Sequence, residues 1–179
     1  MTETPTTYEA DVAIVGGGPA GLSVAIALGL RGVSTVIIEK KSWPIDKVCG
    51  EGLMPTGVGV LERLGVMEHL DDDMHRPFYG IRYIDPSGVR AEGRFPDQPG
   101  LGIRRVGLSR AMHERAAGLR EVALWDNASV HQLETRDDCV ELNINRHDED
   151  VRLRTKLVIG ADGIHSKVRQ WCGLRAPPP

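Results

Sequence analysis

The apolar and polar positions of the first forty residues alternate short apolar runs with glycine-rich breaks. After a polar lead-in at 1–8, DVAIV at 11–15 is a compact β-branched run that predicts a buried strand. GGGPAG at 16–21 follows. LSVAIALGLRG at 22–32 has the apolar spacing and small residues of a buried helix, closed by Gly32. STVIIE at 34–39 predicts a second buried strand. Residues 11–39 thus read as strand, loop, helix, strand, a unit whose parallel crossover is nearly always right-handed.

Beyond residue 40 the pattern loosens. Residues 40–54 are glycine-rich and irregular, and Pro55 opens a helix that runs to Leu64 and stops at Gly65. DDD at 71–73 and DQPGLG at 97–102 read as loops. Segments 78–85 and 89–95 flank DPSG (85–88), whose proline in second position suits a tight turn and predicts a hairpin. Residues 108–119 place Leu108, Met112, Ala116 and Leu119 on one helical face, with Ser109 near the start. In the last third the period shortens. Residues 121–125, 129–135, 139–145 and 151–155 predict short strands, with turns at 136–138 and 146–150. Residues 156–163 predict another buried strand ending in a glycine loop, and 164–174 a short helix before RAPPP.

Composition narrows the possibilities. A chain of 179 residues is roughly one domain at about 150 residues each. Its net charge of −3 gives no electrostatic case for nucleic acid or an anionic membrane. The longest apolar stretch, 22–30, falls short of the roughly 20 residues that a membrane-spanning helix needs. No basic segment followed by an apolar core opens the chain, so a cytoplasmic protein without a transmembrane segment is expected. Three cysteines (Cys49, Cys139 and Cys172) and six histidines show no metal-ligand spacing, so no metal is expected.

The candidate chemistry lies in two places. Gly16-x-Gly18-x-x-Gly21 directly follows a strand and opens a helix. A missing side chain at Gly16 permits the tight turn, at Gly18 lets a pyrophosphate approach, and at Gly21 lets helix and strand pack closely. The helix start, with Pro19 and Ala20 in its first turn, offers free N–H groups and a positive dipole end. Glu39 ends the next strand, where a carboxylate can accept both ribose hydroxyls of an ADP unit. That ADP could belong to NAD or FAD; a 2′-phosphate would repel Glu39, which argues against NADP here. The second place is LVIGADGIHSKVR at 157–169, where a buried strand runs into Asp162-Gly163. A carboxylate at a strand's C-terminal end sits where α/β sheets bind ligands, although an Asp-Gly turn before an ordinary helix has the same pattern.

GGGPAG with Glu39, followed by VIGADGIHSKVR, resembles the flavoprotein monooxygenases of the p-hydroxybenzoate hydroxylase type. The family's Asp-Gly-x-x-Ser-x-aliphatic-Arg pattern is matched by Asp162, Gly163, Ser166, Val168 and Arg169, and the resemblance covers about residues 9–172. It implies an α/β, Rossmann-like FAD-binding domain of the GR2 flavoprotein type at 9–174, with an inserted β-hairpin and a small antiparallel sheet, and a tail at 175–179. The hairpin, about 78–95, would belong to the substrate side. FAD would be the cofactor and NAD(P)H its transient electron donor, acting on a small-molecule substrate. Glu39, with Lys40 beside it, would bind the adenosine ribose. Asp162 and Gly163 would lie near the ribityl chain and pyrophosphate, and Arg105 (Arg104 its neighbour) against the cofactor.

KVCGEGLMP at 47–55 resembles the geranylgeranyl-reductase branch of the same superfamily, and somewhat the flavin-dependent halogenases. There Cys49 would lie beside the flavin ring. Hydroxylation, C=C reduction and halogenation therefore stand side by side, and no catalytic residue is assigned. The family's third motif, a Gly-Asp segment, has no counterpart after Arg169. The resemblance thus implies a truncated domain whose flavin site a C-terminal remainder or partner chain would complete, or else a catalytically incomplete nucleotide-binding module.

Overall fold

The computed structural model describes residues 5–47 and 51–174. Its first unit is β1 (Thr6–Val15), α1 (Pro19–Gly29) and β2 (Thr35–Ile38), with β2 parallel to β1. Later strands complete a six-stranded sheet: β8 (Val122–Trp125), β9 (Ala128–Thr135), β10 (Val140–Arg146) and β11 (Glu149–Gly160). The order is β8-β2-β1-β11-β10-β9. The first four run parallel, and β11, β10 and β9 form an antiparallel meander on the same sheet.

The two strands expected at 151–155 and 156–163 are one strand. β11 pairs along its length with β1, from Thr6↔Val151 to Val15↔Gly160, and its first half also pairs with β10. The change of period at Thr155 marks a change of neighbours. Up to that point the alternation of Val151, Leu153 and Thr155 with Arg152 and Arg154 reflects a polar outer face. Thr155 is buried, and its hydroxyl donates to the Asp11 carbonyl (2.9 Å), so the chain passes through without a turn. The polar lead-in is likewise shorter than expected: Thr6–Tyr8 are strand, because their backbone has β11 to pair with. α1 begins at Pro19 and ends at Gly29, and Gly32 (φ +74°) lies in the turn that follows.

Both faces of the parallel strands are covered, as such sheets require. Val12, Ile14 and Ile37 face a core shared with α1, α2 (Pro55–Arg63) and α3 (Arg105–Ala117). Ala13, Val15, Val36 and Ile38 face a second core with Leu142, Leu153 and Val168 of α4 (Lys167–Trp171). Burying each large aliphatic side chain contributes about 1.5–3 kcal/mol. α3 starts at Arg105, a turn earlier than its apolar face predicts. Ser109 is therefore not near a cap; it is buried, and its Oγ accepts the Ile45 N–H at 2.8 Å, pinning the loop after β2 to α3.

Two smaller sheets complete the chain. β3 (Gly52–Leu53), β4 (His75–Phe78) and β7 (Gly100–Ile103) form an antiparallel sheet in the order β3-β7-β4. The loop expected at 97–102 thus contributes β7, whose Leu101 and Ile103 are buried in the α-helical core. β5 (Gly80–Ile84) and β6 (Arg90–Arg94) form the expected hairpin. Its turn is closed by the Asp85 carboxylate, which accepts from Ser87 Oγ (2.7 Å) and Val89 N–H (2.9 Å). Among the described residues, no helix is long and apolar enough to cross a membrane.

Candidate functional site

A cavity of about 300 Å³ opens at the C-terminal ends of β1, β2 and β11. Gly16, Gly18, Glu39, Lys40, Asp162 and Gly163 all line it, so the two motifs meet across one space. The start of β9 supplies Ala128, Ser129 and Val130, while Lys41, Lys47, His165 and Lys167 add cationic or titratable groups.

The β1–α1 turn takes its shape from missing side chains. Gly16 adopts φ +110°, and a Cβ there would overlap the Ala161 carbonyl at the end of β11. A Cβ on Gly21 would overlap the Gly16 carbonyl. At Gly18 a Cβ would meet nothing within 4 Å, which is the open approach an anionic ligand needs. Gly18 caps α1 with Pro19 at its first position, and no acidic residue occupies the first turn. The N–H groups there and the dipole of an eleven-residue helix meet no carboxylate from the helix's own first turn.

Glu39 follows directly after β2. Its N–H donates to the Trp125 carbonyl (2.8 Å) and its carbonyl accepts from Ala128 N–H (2.9 Å), which fixes the backbone. The residue is only 8% exposed. Glu39 Oε2 accepts the Gly17 N–H at 2.8 Å, and Oε1 accepts the Lys41 N–H at 3.0 Å. A carboxylate offers about four lone-pair sites. Two are used here, and two remain for a diol.

The Asp162–Gly163 turn is built differently. Gly163 takes φ +83°. Asp162 Oδ2 accepts the Lys167 N–H (2.6 Å) and the Val168 N–H (3.3 Å), and Ser166 Oγ accepts the Arg169 N–H (3.0 Å). Arg169 Nη2 donates back to the Ile164 carbonyl (2.6 Å). Most polar groups of this motif thus cap and brace the short α4. These are the residues that also match the family pattern.

The remaining expected residues fall elsewhere. Arg105 is buried at the first position of α3 and does not line the cavity. Arg104 is its exposed N-cap neighbour. Cys49 lies outside the described residues. Pro19, Ala20 and Gly21 form the first turn of α1 behind the cavity-lining Gly18. Several participants were missed by sequence reasoning. Ala128–Val130, Trp43 and Trp171 carry no motif. Trp171 lines the cavity, and Trp43 Nε1 donates to the Gly17 carbonyl at 3.1 Å.

The residues present fit the ADP half of a dinucleotide: a helix start open at Gly18, a buried carboxylate with spare acceptor sites, and lysines on the rim. Comparison with known proteins gives the same direction. The family described as "FAD binding domain" matches residues 9–178. A digeranylgeranylglycerophospholipid reductase of Methanosphaera stadtmanae is 27% identical over 93% of this chain and 42% of its own length. The FAD-dependent monooxygenase nodM of Hypoxylon pulicicidum is 29% identical over 91% of this chain and 36% of its own length. The crystal structure of p-nitrophenol 4-monooxygenase from Pseudomonas putida superposes with a TM-score of 0.82 at 27% identity, covering 94% of this chain and 44% of that one. The chain therefore spans about two fifths of the length of the curated relatives it matches.

Proposed function

The chain belongs to the FAD binding domain family, and on that premise we propose that its cavity holds the ADP half of FAD within an NAD(P)H-dependent flavoprotein monooxygenase of small organic or aromatic substrates. The observation that carries this reading is the meeting of Gly18, Glu39 and Asp162 on one cavity. In this reading, Gly16, Gly18 and the first turn of α1 (Pro19, Ala20, Gly21) take the pyrophosphate. Glu39 takes the ribose hydroxyls, with Lys40 at the rim. Asp162 and Gly163 lie along the ribityl side, and Arg105 and Cys49 belong toward the flavin. When bound, FAD supplies the electron-transfer chemistry; the chain's own residues bind and orient it. The remaining contacts to the isoalloxazine ring and those to substrate would come from a C-terminal remainder or a partner chain. The monooxygenase relatives support the hydroxylase assignment.

A second reading is C=C reduction of an isoprenoid, supported by the reductase relative and by the CGEGL wording of residues 49–53. A third is nucleotide binding without turnover. Titration of the protein with FAD, followed by calorimetry and flavin fluorescence, tests the shared premise. One site is expected, weakened tenfold to a hundredfold by Glu39→Ala, the range for losing hydrogen bonds to a charged acceptor. Glu51→Ala, whose side chain does not line the cavity, should change little. Equal effects of the two substitutions would sink the role of Glu39. With FAD bound and the remainder of the polypeptide or the partner chain present, oxygen uptake and NAD(P)H oxidation stimulated by phenols indicate the hydroxylase. Anaerobic reduction of an isoprenoid indicates the reductase, and binding with neither activity indicates the module alone.

A further inference from the structure

We propose that Trp43 is a positioning residue for the pyrophosphate site, because its indole N–H sets the direction in which the Gly18 amide points. Trp43 lies four residues after Glu39, on the loop that Ser109 pins to α3 through the Ile45 N–H (2.8 Å). Its half-buried ring packs against the α-helical core, 5.0 Å from the His113 ring of α3. From there Nε1 donates to the Gly17 carbonyl at 3.1 Å. The ring lies flush against the turn, since a Cβ on Gly17 would overlap it.

That carbonyl shares a peptide plane with the Gly18 N–H, and in a trans peptide the two point in opposite directions. Gly18 lines the cavity and Trp43 does not. Holding the carbonyl on the core side therefore turns the Gly18 N–H away from the core, toward the cavity. The preceding peptide is held from another side, by the bond from Gly17 N–H to Glu39 Oε2 (2.8 Å). An external clamp is needed because Gly16, Gly17 and Gly18 are consecutive. Glycine has access to both signs of φ, so rotation of the peptide between two of them meets little steric resistance. A donor fixed on the core side selects one orientation before any ligand arrives, which lowers the ordering cost of binding.

The inference rests on the dinucleotide reading above, and the test separates the two. Affinities for ADP and for adenosine are measured by amide NMR titration, which reads millimolar binding. Trp43→Phe keeps an aromatic ring and removes the donor. It is expected to weaken ADP about fivefold, the worth of one ordinary hydrogen bond, and to leave adenosine unchanged. Replacing Trp43 with benzothienylalanine, a bicyclic isostere lacking the N–H, should give the same split and serves if the phenylalanine variant does not fold. An equal loss for both ligands, or no loss for ADP, overturns the inference. Wild-type protein that binds no ADP would overturn the dinucleotide reading, and the inference with it.

Discussion

Two turns face each other across the cavity, and they are held in opposite ways. The β1–α1 turn contributes almost no side chains. Its shape comes from groups outside it: Ala161 against Gly16, Glu39 on the Gly17 N–H, Trp43 on the Gly17 carbonyl. The Asp162–Arg169 turn holds itself, through Asp162 on two amides, Ser166 on a third and Arg169 on the Ile164 carbonyl. The first arrangement leaves backbone donors free at the cavity. The second spends its polar groups on closing a five-residue helix. Affinity for an anion should therefore reside in the first turn, and the second should act mainly as a wall.

The largest expected effect is on folding. Gly21→Ala places a Cβ on the Gly16 carbonyl, between backbone groups that cannot swing aside. A loss of about 3 kcal/mol or more in urea unfolding is expected, or no folded protein. Gly163→Ala meets open space and bears only its φ of +83°, a cost of about 1–2 kcal/mol. Equal costs at the two glycines would break the contrast between the turns.

Next in size is ligand affinity. Asp162→Asn should weaken ADP by less than about threefold, well under the tenfold or greater loss expected for Glu39→Ala. Calorimetry on both variants checks this, and a reversed order would move the anion site to the second turn. Smaller again is Ser166→Ala, which removes a helix cap. It should cost about 1 kcal/mol in stability with ADP affinity unchanged.

The smallest effect is a pH slope. Burial holds His113, whose ring faces Trp43, below its ordinary value of 6.5; Asp126 and Glu114 oppose this in part. The folded chain thus binds this proton less readily than the unfolded chain, so stability is complete above about pH 6.5 and declines as pH falls toward the lowered value. Urea midpoints between pH 7 and pH 5 should fall less in His113→Gln than in the parent.

Legibility in the sequence followed the range of the interactions. The βαβ unit and the β5–β6 hairpin were readable because each is set by neighbours close in sequence, and the glycine turn and Glu39 because they carry motif spacing, although distant residues hold them in place. The continuity of β11 was not, since beyond Thr155 β10 stops pairing and the strand is carried on by β1, from the far end of the chain. The early start of α3 was hidden because Arg105 is charged, yet buried. In the site, Gly18, Glu39 and Asp162 carry motif wording, whereas Ala128–Val130 enter only because β9 begins beside Glu39, whose carbonyl accepts the Ala128 N–H. Trp43 was not readable as a donor, since only the fold brings it back across 26 residues to Gly17.

The central claim, that this cavity takes the ADP half of FAD, is tested most directly by titrating ADP into isotope-labelled protein and following the backbone amides. Shifts are predicted at Gly18, Ala20, Lys40, Ser129 and Gly163, all on or beside the cavity, with the β5–β6 hairpin unchanged. A spectrum unmoved at millimolar ADP, or shifts gathered on the hairpin instead, would contradict it.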